Sequence, residues 1–340
     1  MEDNLFEQRI DISLLNQAVI NIRNEISKVI VGQHKMVDLL LISLLCDGHV
    51  LIEGVPGVAK TLTAKLLAKI INTNFSRIQF TPDLMPSDVL GTSVFNPKDA
   101  QFEFKRGPIF SNIILIDEIN RAPAKTQSAL FEVMEERQVT IDGVTHLMDF
   151  PFLVIATQNP IEQEGTYRLP EAQLDRFLFK IVITYPTIEE EVNILMNQQS
   201  IAPNNLLAKV IPLISTAQIS EYRGITNEVI IDPKLVEFIA KIVNETRNNS
   251  SLYLGASPRA SLAILRSAKA YAAIMGRDFV TPEDIIEMAI PVIRHRIILT
   301  PEKEMEGFTA DELIRDIYPK LMFPAKGQSF HQTHFLLENY

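Results

Sequence analysis

The run Gly54-Val55-Pro56-Gly57-Val58-Ala59-Lys60-Thr61 follows a short apolar stretch, His49 to Glu53, and precedes a helical pattern, LTAKLLAKII. That strand, loop and helix order is the context in which a glycine-rich loop cradles phosphates. Successive backbone N–H groups and the positive end of the helix face the anion. At this spacing Lys60 reaches the β and γ phosphates as a point charge, and the Thr61 hydroxyl is a hard oxygen ligand for magnesium. Ala59 stands where the general pattern G-x-x-x-x-G-K-[ST] has glycine, so the backbone there must accept a Cβ.

A second set of chemical groups lies downstream in Ile113-Ile114-Leu115-Ile116-Asp117-Glu118, an apolar run ending in two carboxylates. Asp117 suits a magnesium ligand acting through water, and Glu118 a general base that polarises the attacking water. Neighbours on a strand point to opposite faces, so the two acids are expected to be splayed and to do different jobs.

Positioning these groups requires a sheet. Five runs read as strands: His49 to Glu53, Phe75 to Phe80, Ile113 to Asp117, Phe152 to Thr157 and Phe179 to Thr184. They are short, apolar and interleaved with helical patterns, as in a mostly parallel α/β sheet buried on both faces. The clearest helix is Pro123 to Arg137, with proline in the first turn and Leu130, Val133 and Met134 on the core face. Two stretches interrupt the alternation as hairpins: Val94 to Lys105, and Val139 to Leu147 around the turn pair Asp142-Gly143. After Pro186 helices take over. They start at Thr187-Ile188-Glu189-Glu190, Asp232-Pro233, Ser257-Pro258 and Thr281-Pro282, each a capping signature. The expected organisation is an N-terminal helical segment (1–28), an αβ nucleotide-binding core (29–186), a helical lid (187–325) and a tail (326–340).

The 340 residues carry 42 acidic and 32 basic side chains, a formal net charge of -10, which argues against a general nucleic-acid binder. No apolar run is long enough to span a membrane, and the first residues lack a basic leader, so a cytoplasmic protein is expected. The single cysteine, Cys46, sits in an apolar stretch and reads as a buried structural thiol. His331 and His334 lack further ligands and read as part of a solvated tail.

Taken together, GVPGVAKT (54–61), LIDEINRAPAKTQSALFEVMEERQVTIDG (115–143), FLVIATQNPIEQEGTYRLPEAQLDRF (152–177) and GASPRA (255–260) closely resemble the MoxR family of AAA+ ATPases, from about Val29 to Pro324. Alanine at position 59 is part of that resemblance; Arg168, where proline is expected, departs from it. The resemblance implies a five-stranded parallel sheet in the order 5-1-4-3-2 with a C-terminal all-α lid. It implies ATP and Mg2+ as ligands, with Gly54 to Leu62, Asp117 and the adenine-facing Val31-Gly32 binding the nucleotide. Asn159 then corresponds to sensor 1, Arg176 to an arginine finger reaching a neighbouring subunit, and Arg259 to sensor 2, carried by the lid into the nucleotide cleft. The two hairpins correspond to a helix-2 insert and a pre-sensor insert that face the pore of a ring. Also implied are a hexameric homo-oligomer and chaperone-like remodelling, activation or metal insertion of a partner with a von Willebrand factor A domain. Alternatives are a nucleotide-gated scaffold, a DNA-dependent motor and a magnesium-chelatase-like ATPase subunit.

Overall fold

A computed structural model describes residues 9–55, 57–98, 100–160, 167, 169–199 and 207–322. Pro56, Arg168 and the tail with His331 and His334 lie outside the described residues. The helices are α1 (Ser13–Ser27), α2 (His34–Leu45), α3 (Lys60–Ile70), α4 (Pro86–Leu90), α5 (Ala124–Glu136), α6 (Glu171–Leu174), α7 (Ile188–Gln199), α8 (Thr216–Glu228), α9 (Pro233–Asn248), α10 (Pro258–Ile274), α11 (Pro282–Ile293), α12 (Pro301–Met305) and α13 (Ala310–Met322). The strands are β1 (His49–Gly54), β2 (Phe75–Gln79), β3 (Gly91–Asn96), β4 (Gln101–Arg106), β5 (Ile113–Asp117), β6 (Gln138–Ile141), β7 (Val144–Leu147), β8 (Leu153–Gln158), β9 (Phe177–Ile183), β10 (Leu252–Leu254) and β11 (Ile298–Leu299).

The central sheet runs β2-β5-β8-β1-β9 with every pairing parallel. Numbered by the five core strands alone, this is the expected order 5-1-4-3-2. All five residues of β5 are buried, which explains its unbroken apolar sequence. Ile113 and Leu115 face the helices α1, α2 and α3, while Ile114 and Ile116 face Leu130, Phe131, Val133 and Met134 of α5. The first of these two apolar layers does not end at the sheet. It continues into α8–α11 and α13, where the alanine-rich α10 packs closely on α11 and touches α1 and α2.

Both interrupting segments are hairpins. β6 and β7 are joined by the two residues Asp142 and Gly143, both at positive φ, as the turn pair requires. β3 and β4 follow the short helix α4, and Phe95 pairs with Phe102 across them. The Ser93 hydroxyl bonds the Asp142 carboxylate and ties one hairpin to the other. Two local expectations need correction. Pro123 is the residue preceding α5 rather than part of its first turn, because its extended ψ of 152° breaks the helical path. Ser257 precedes α10 without bonding its backbone, because its hydroxyl is directed to Asp175, 3.1 Å away.

Register at the start of β1 is held by His49. Its buried ring sits 3.0 Å from the Met134 carbonyl through Nε2 and accepts the Val154 N–H at 3.0 Å through Nδ1. One nitrogen donates and the other accepts, an arrangement only the neutral ring can satisfy. Burial, with Arg137 nearby, lowers the His49 pKa to about 3, against about 6.5 for a free imidazole. The native state therefore refuses a proton that the unfolded chain takes up. The stabilisation is complete above pH 6.5 and is lost as pH falls toward 3. His295, buried with its pKa well below the usual value, adds a loss in the same direction. We predict that the melting temperature falls steadily from pH 6.5 to 4. His49→Gln should lower stability at pH 7.5 by about 1–3 kcal/mol and flatten the acid slope; an unchanged slope would refute the assignment.

Candidate functional site

At the end of β1 the chain turns through a loop whose backbone is set by two left-handed residues, Gly57 at φ +88° and Ala59 at φ +57°. Ala59 immediately precedes α3, so the unpaired N–H groups of that helix's first turn stand directly after the loop. The Cβ at position 59 is accommodated, but in the region glycine prefers. That arrangement carries a strain of about 1–2 kcal/mol. Gly54 has no room for a side chain, since a Cβ would lie 2.9 Å from the Ile183 carbonyl of β9. Lys60 folds back to donate to the Gly54 carbonyl at 2.7 Å. Its pKa is lowered by burial, and the charges of Asp117 and Glu118 oppose that shift.

Asp117 is the last residue of β5 and is buried. Its Oδ1 accepts from the Thr157 hydroxyl of β8 at 3.2 Å and its Oδ2 from Arg77 Nε of β2 at 2.6 Å. The Thr157 oxygen also accepts the Glu118 N–H at 3.1 Å. Glu118 departs from the strand at φ +57°, so the acids separate by a left-handed turn of the backbone and not by the alternation of a continuing strand. Glu118 Oε2 accepts from Gln79 Nε2 at 2.8 Å and pairs with Arg121 Nε at 3.0 Å. Thr61, in the first turn of α3, and Asp117 offer a hydroxyl and a carboxylate, hard oxygen donors of the kind magnesium takes. Among the described residues no group of three or more His, Cys, Asp or Glu side chains could cage a metal, so such an ion needs waters or phosphate oxygens to complete its shell.

Asn159 follows β8 directly, at the same end of the sheet as Gly54 and Asp117, and β8 lies between β1 and β5 as expected. Gly32 and Gln33 are both left-handed and lead into α2. The space where Gly32 lacks a side chain is filled by the Glu190 carboxylate, and Thr187 N–H holds that carboxylate at 2.9 Å. The first turn of α7 thus rests on the Val31-Gly32 loop.

The two candidate arginines lie elsewhere. Phe177 pairs with His49 and Ile183 with Gly54, so Phe177 lies five residue steps of β1, about 17 Å of strand, from the phosphate loop of its own chain, and Arg176 lies one residue farther. The end of α5 lies there too, since His49 touches Met134. Arg176 donates to the Phe131 carbonyl and pairs with Glu135 Oε2 at 2.9 Å. Arg259 pairs with Glu135 Oε1 at 3.0 Å. The expectation that Arg259 enters the nucleotide cleft of its own chain is therefore corrected: α10 is docked at the opposite end of the sheet. Asp175 fixes that docking by accepting from Ser257 and from the buried Arg296 at 2.6 Å.

Sequence reasoning missed Arg77, Gln79, Thr157 and Glu135. The first two had a signal, since in Phe75-Ser76-Arg77-Ile78-Gln79 they alternate onto one face, and Gln79 is paired in register with Asp117. Thr157 is the one hydroxyl in β8 and follows four apolar residues, and Glu135 has nothing in the local pattern to distinguish it.

Comparison with known proteins agrees with this geometry. The family described as "ATPase family associated with various cellular activities (AAA)" matches residues 49–179, and an AAA lid domain matches residues 244–317. Chaperone MoxR1 of Mycobacterium tuberculosis is 44% identical over 91% of this chain and 83% of its own. The uncharacterised protein YeaC of Bacillus subtilis is 46% identical over 92% of this chain and 96% of its own. A crystal structure of a protein assigned as an ATPase, from Cytophaga hutchinsonii, superposes with a TM-score of 0.81 at 45% identity, covering 91% of this chain and 98% of that one.

The loop conformation is open to test. Gly57→Ala should cost about 1–2 kcal/mol of stability, because φ +88° strains a Cβ even where no atom of the described residues crowds it. Ala59→Gly should shift stability by less than about 1 kcal/mol, since relief of strain is offset by the added freedom of the unfolded chain. Chemical denaturation of both variants checks this; equal losses would contradict the loop geometry.

Proposed function

For a chain that belongs to the MoxR family of AAA+ ATPases, chaperone-like relatives of which it matches over nearly its whole length, we propose that it hydrolyses ATP at junctions between identical subunits. The observation that carries this reading is the division of the charged groups between the two ends of one parallel sheet. Lys60, Asp117 and Glu118 stand at one end, and Arg176 and Arg259 at the other. A phosphoryl transfer site that uses all five needs two chains.

In this reading the loop from Gly54 to Leu62 holds the phosphates with its backbone N–H groups, and Lys60 exchanges its Gly54 carbonyl for phosphate oxygens. Thr61 and Asp117 would hold magnesium, which when bound neutralises phosphate charge. Glu118 takes the proton of the attacking water, and the Asn159 amide orients that water. Arg176 and Arg259 of the adjacent subunit meet the negative charge developing on the γ phosphate. Residues 29–186 act as the nucleotide core and 187–325 as the lid, with Val31 and Gly32 against the base.

The biological work we assign is remodelling or activation of a partner protein by a ring, with six subunits and a partner bearing a von Willebrand factor A domain as the family resemblance suggests. Exposed apolar side chains on both hairpins, among them Phe95, Phe102, Val144 and Leu147, support a protein rather than a nucleic acid as the substrate. The net charge of -10 points the same way. No described helix is long and apolar enough to cross a membrane, and we place the work in the cytoplasm.

Glu118→Gln should bind ATP while phosphate release falls by about 10²-fold or more; turnover equal to the parent protein would remove Glu118 as the base. Mixing Arg176→Ala with Lys60→Ala subunits should restore part of the activity, because some junctions then pair an intact loop with an intact arginine. A mixture that assembles and stays inactive would refute action between subunits.

A further inference from the structure

We infer that Glu135 is a positioning residue that binds Arg176 and Arg259 into a single two-arginine unit, which one subunit presents to the nucleotide of the next. This rests on the proposed action of Arg176 between subunits. The geometry is specific: one carboxylate gives Oε2 to Arg176 at 2.9 Å and Oε1 to Arg259 at 3.0 Å. Two guanidiniums this close repel each other, and the shared carboxylate between them removes that penalty. Among the described residues Arg176 has few other anchors. Its second terminal nitrogen bonds the Phe131 carbonyl, and among the described residues its buried Nε has no partner. Glu135 and the Phe131 carbonyl, four residues apart on α5, thus fix where the guanidinium points.

The same corner is bolted to the helical domain a second time. Ser257, two residues before Arg259, bonds Asp175 at 3.1 Å, the residue before Arg176. Asp175 is in turn gripped by Arg296, whose side chain is 4% exposed and which also bonds the carbonyls of Phe177 and Leu178. The start of α10 therefore cannot shift without carrying the 175–176 corner with it. An adjustment of the lid in one subunit is delivered as a displacement of both cations at the neighbour's phosphate. Glu135 touches neither substrate nor water in this scheme; it acts through the arginines.

The test is a mutant cycle on the full chain. ATPase kcat and KM are measured for Arg176→Ala, Arg259→Ala and the double variant, each with Glu135 intact and with Glu135→Gln, alongside ATPγS binding and sedimentation. Glu135→Gln should lower kcat about tenfold or more with KM within about twofold. With Glu135 intact, the double arginine variant should lose no more than about twice what the worse single variant loses; in the Glu135→Gln background the two losses should multiply. Full turnover or faster turnover in Glu135→Gln overturns the proposal, as do arginine losses that multiply while Glu135 is present. Loss of ATPγS binding or of assembly in Glu135→Gln also overturns it, since the residue would then serve the fold alone. If Arg176→Ala itself turns over normally, the reading of Arg176 as an intersubunit residue fails; if Arg176→Ala is impaired and Glu135→Gln is not, only the role of Glu135 fails.

Discussion

All five strands of the sheet run in one direction, and that constraint sorts the molecule's chemistry by end. A parallel strand can be followed by another only after the chain has crossed back, so every loop leaving a strand gathers at one edge and every loop entering a strand at the other. The phosphate loop, Asp117, Glu118 and Asn159 leave strands. Arg176 enters one. Because both faces of the sheet are buried by helices, neither group can migrate to the other edge through a change of side-chain rotamer. The second subunit that the proposed mechanism calls for is thus a consequence of strand direction before it is a matter of which residues are present.

Within the phosphate edge, the carboxylates are controlled from their flanks. Strand β2 contributes Arg77 to Asp117 and Gln79 to Glu118, and β8 contributes the Thr157 hydroxyl to both Asp117 and the Glu118 backbone. Arg77 and Glu118 are partly exposed, so these contacts are worth little as sources of stability. Their effect is on geometry: two acids that are adjacent in sequence are held by different partners and kept from sharing one ion or one proton. Lys60 nearby feels both carboxylates while partly desolvated, a setting in which an incoming polyanion supplies the countercharge the ammonium lacks.

The sequence made the strands, the hairpins and the phosphate loop legible because each rests on local signals: apolar runs of strand length, a glycine spacing, capping residues and an Asp-Gly turn; the strand order came from the family likeness. The positions of Lys60, Asp117 and Asn159 followed from those signals together with a family likeness. What could not be read locally are contacts made between distant elements. The Glu135 bridge joins α5, the 175–176 corner and α10, and no periodicity in any of the three announces it. The left-handed turn at Glu118 was hidden for a different reason. An Asp-Glu pair looks like a continuing strand, and only the Thr157 hydroxyl catching the Glu118 N–H shows why the backbone departs. Arg259 was misplaced because the resemblance supplies a role without supplying the docking of α10.

The apolar layer beneath α1, α2 and α3 that runs unbroken into the helices after residue 187 limits how those helices can move. A hinge opening between them and the sheet would bring residues such as Ile264, Ala268 and Ile293 into water, at about 25 cal/mol for each Å² exposed. Sliding keeps that surface covered while side chains step between neighbouring packings, as in shear motions of packed helices. Alanines along α10 leave a smooth face with few projections to climb over. A slide that carries the 175–176 corner along, with its bonds to Ser257 and Arg296 intact, is therefore the motion that keeps this layer covered.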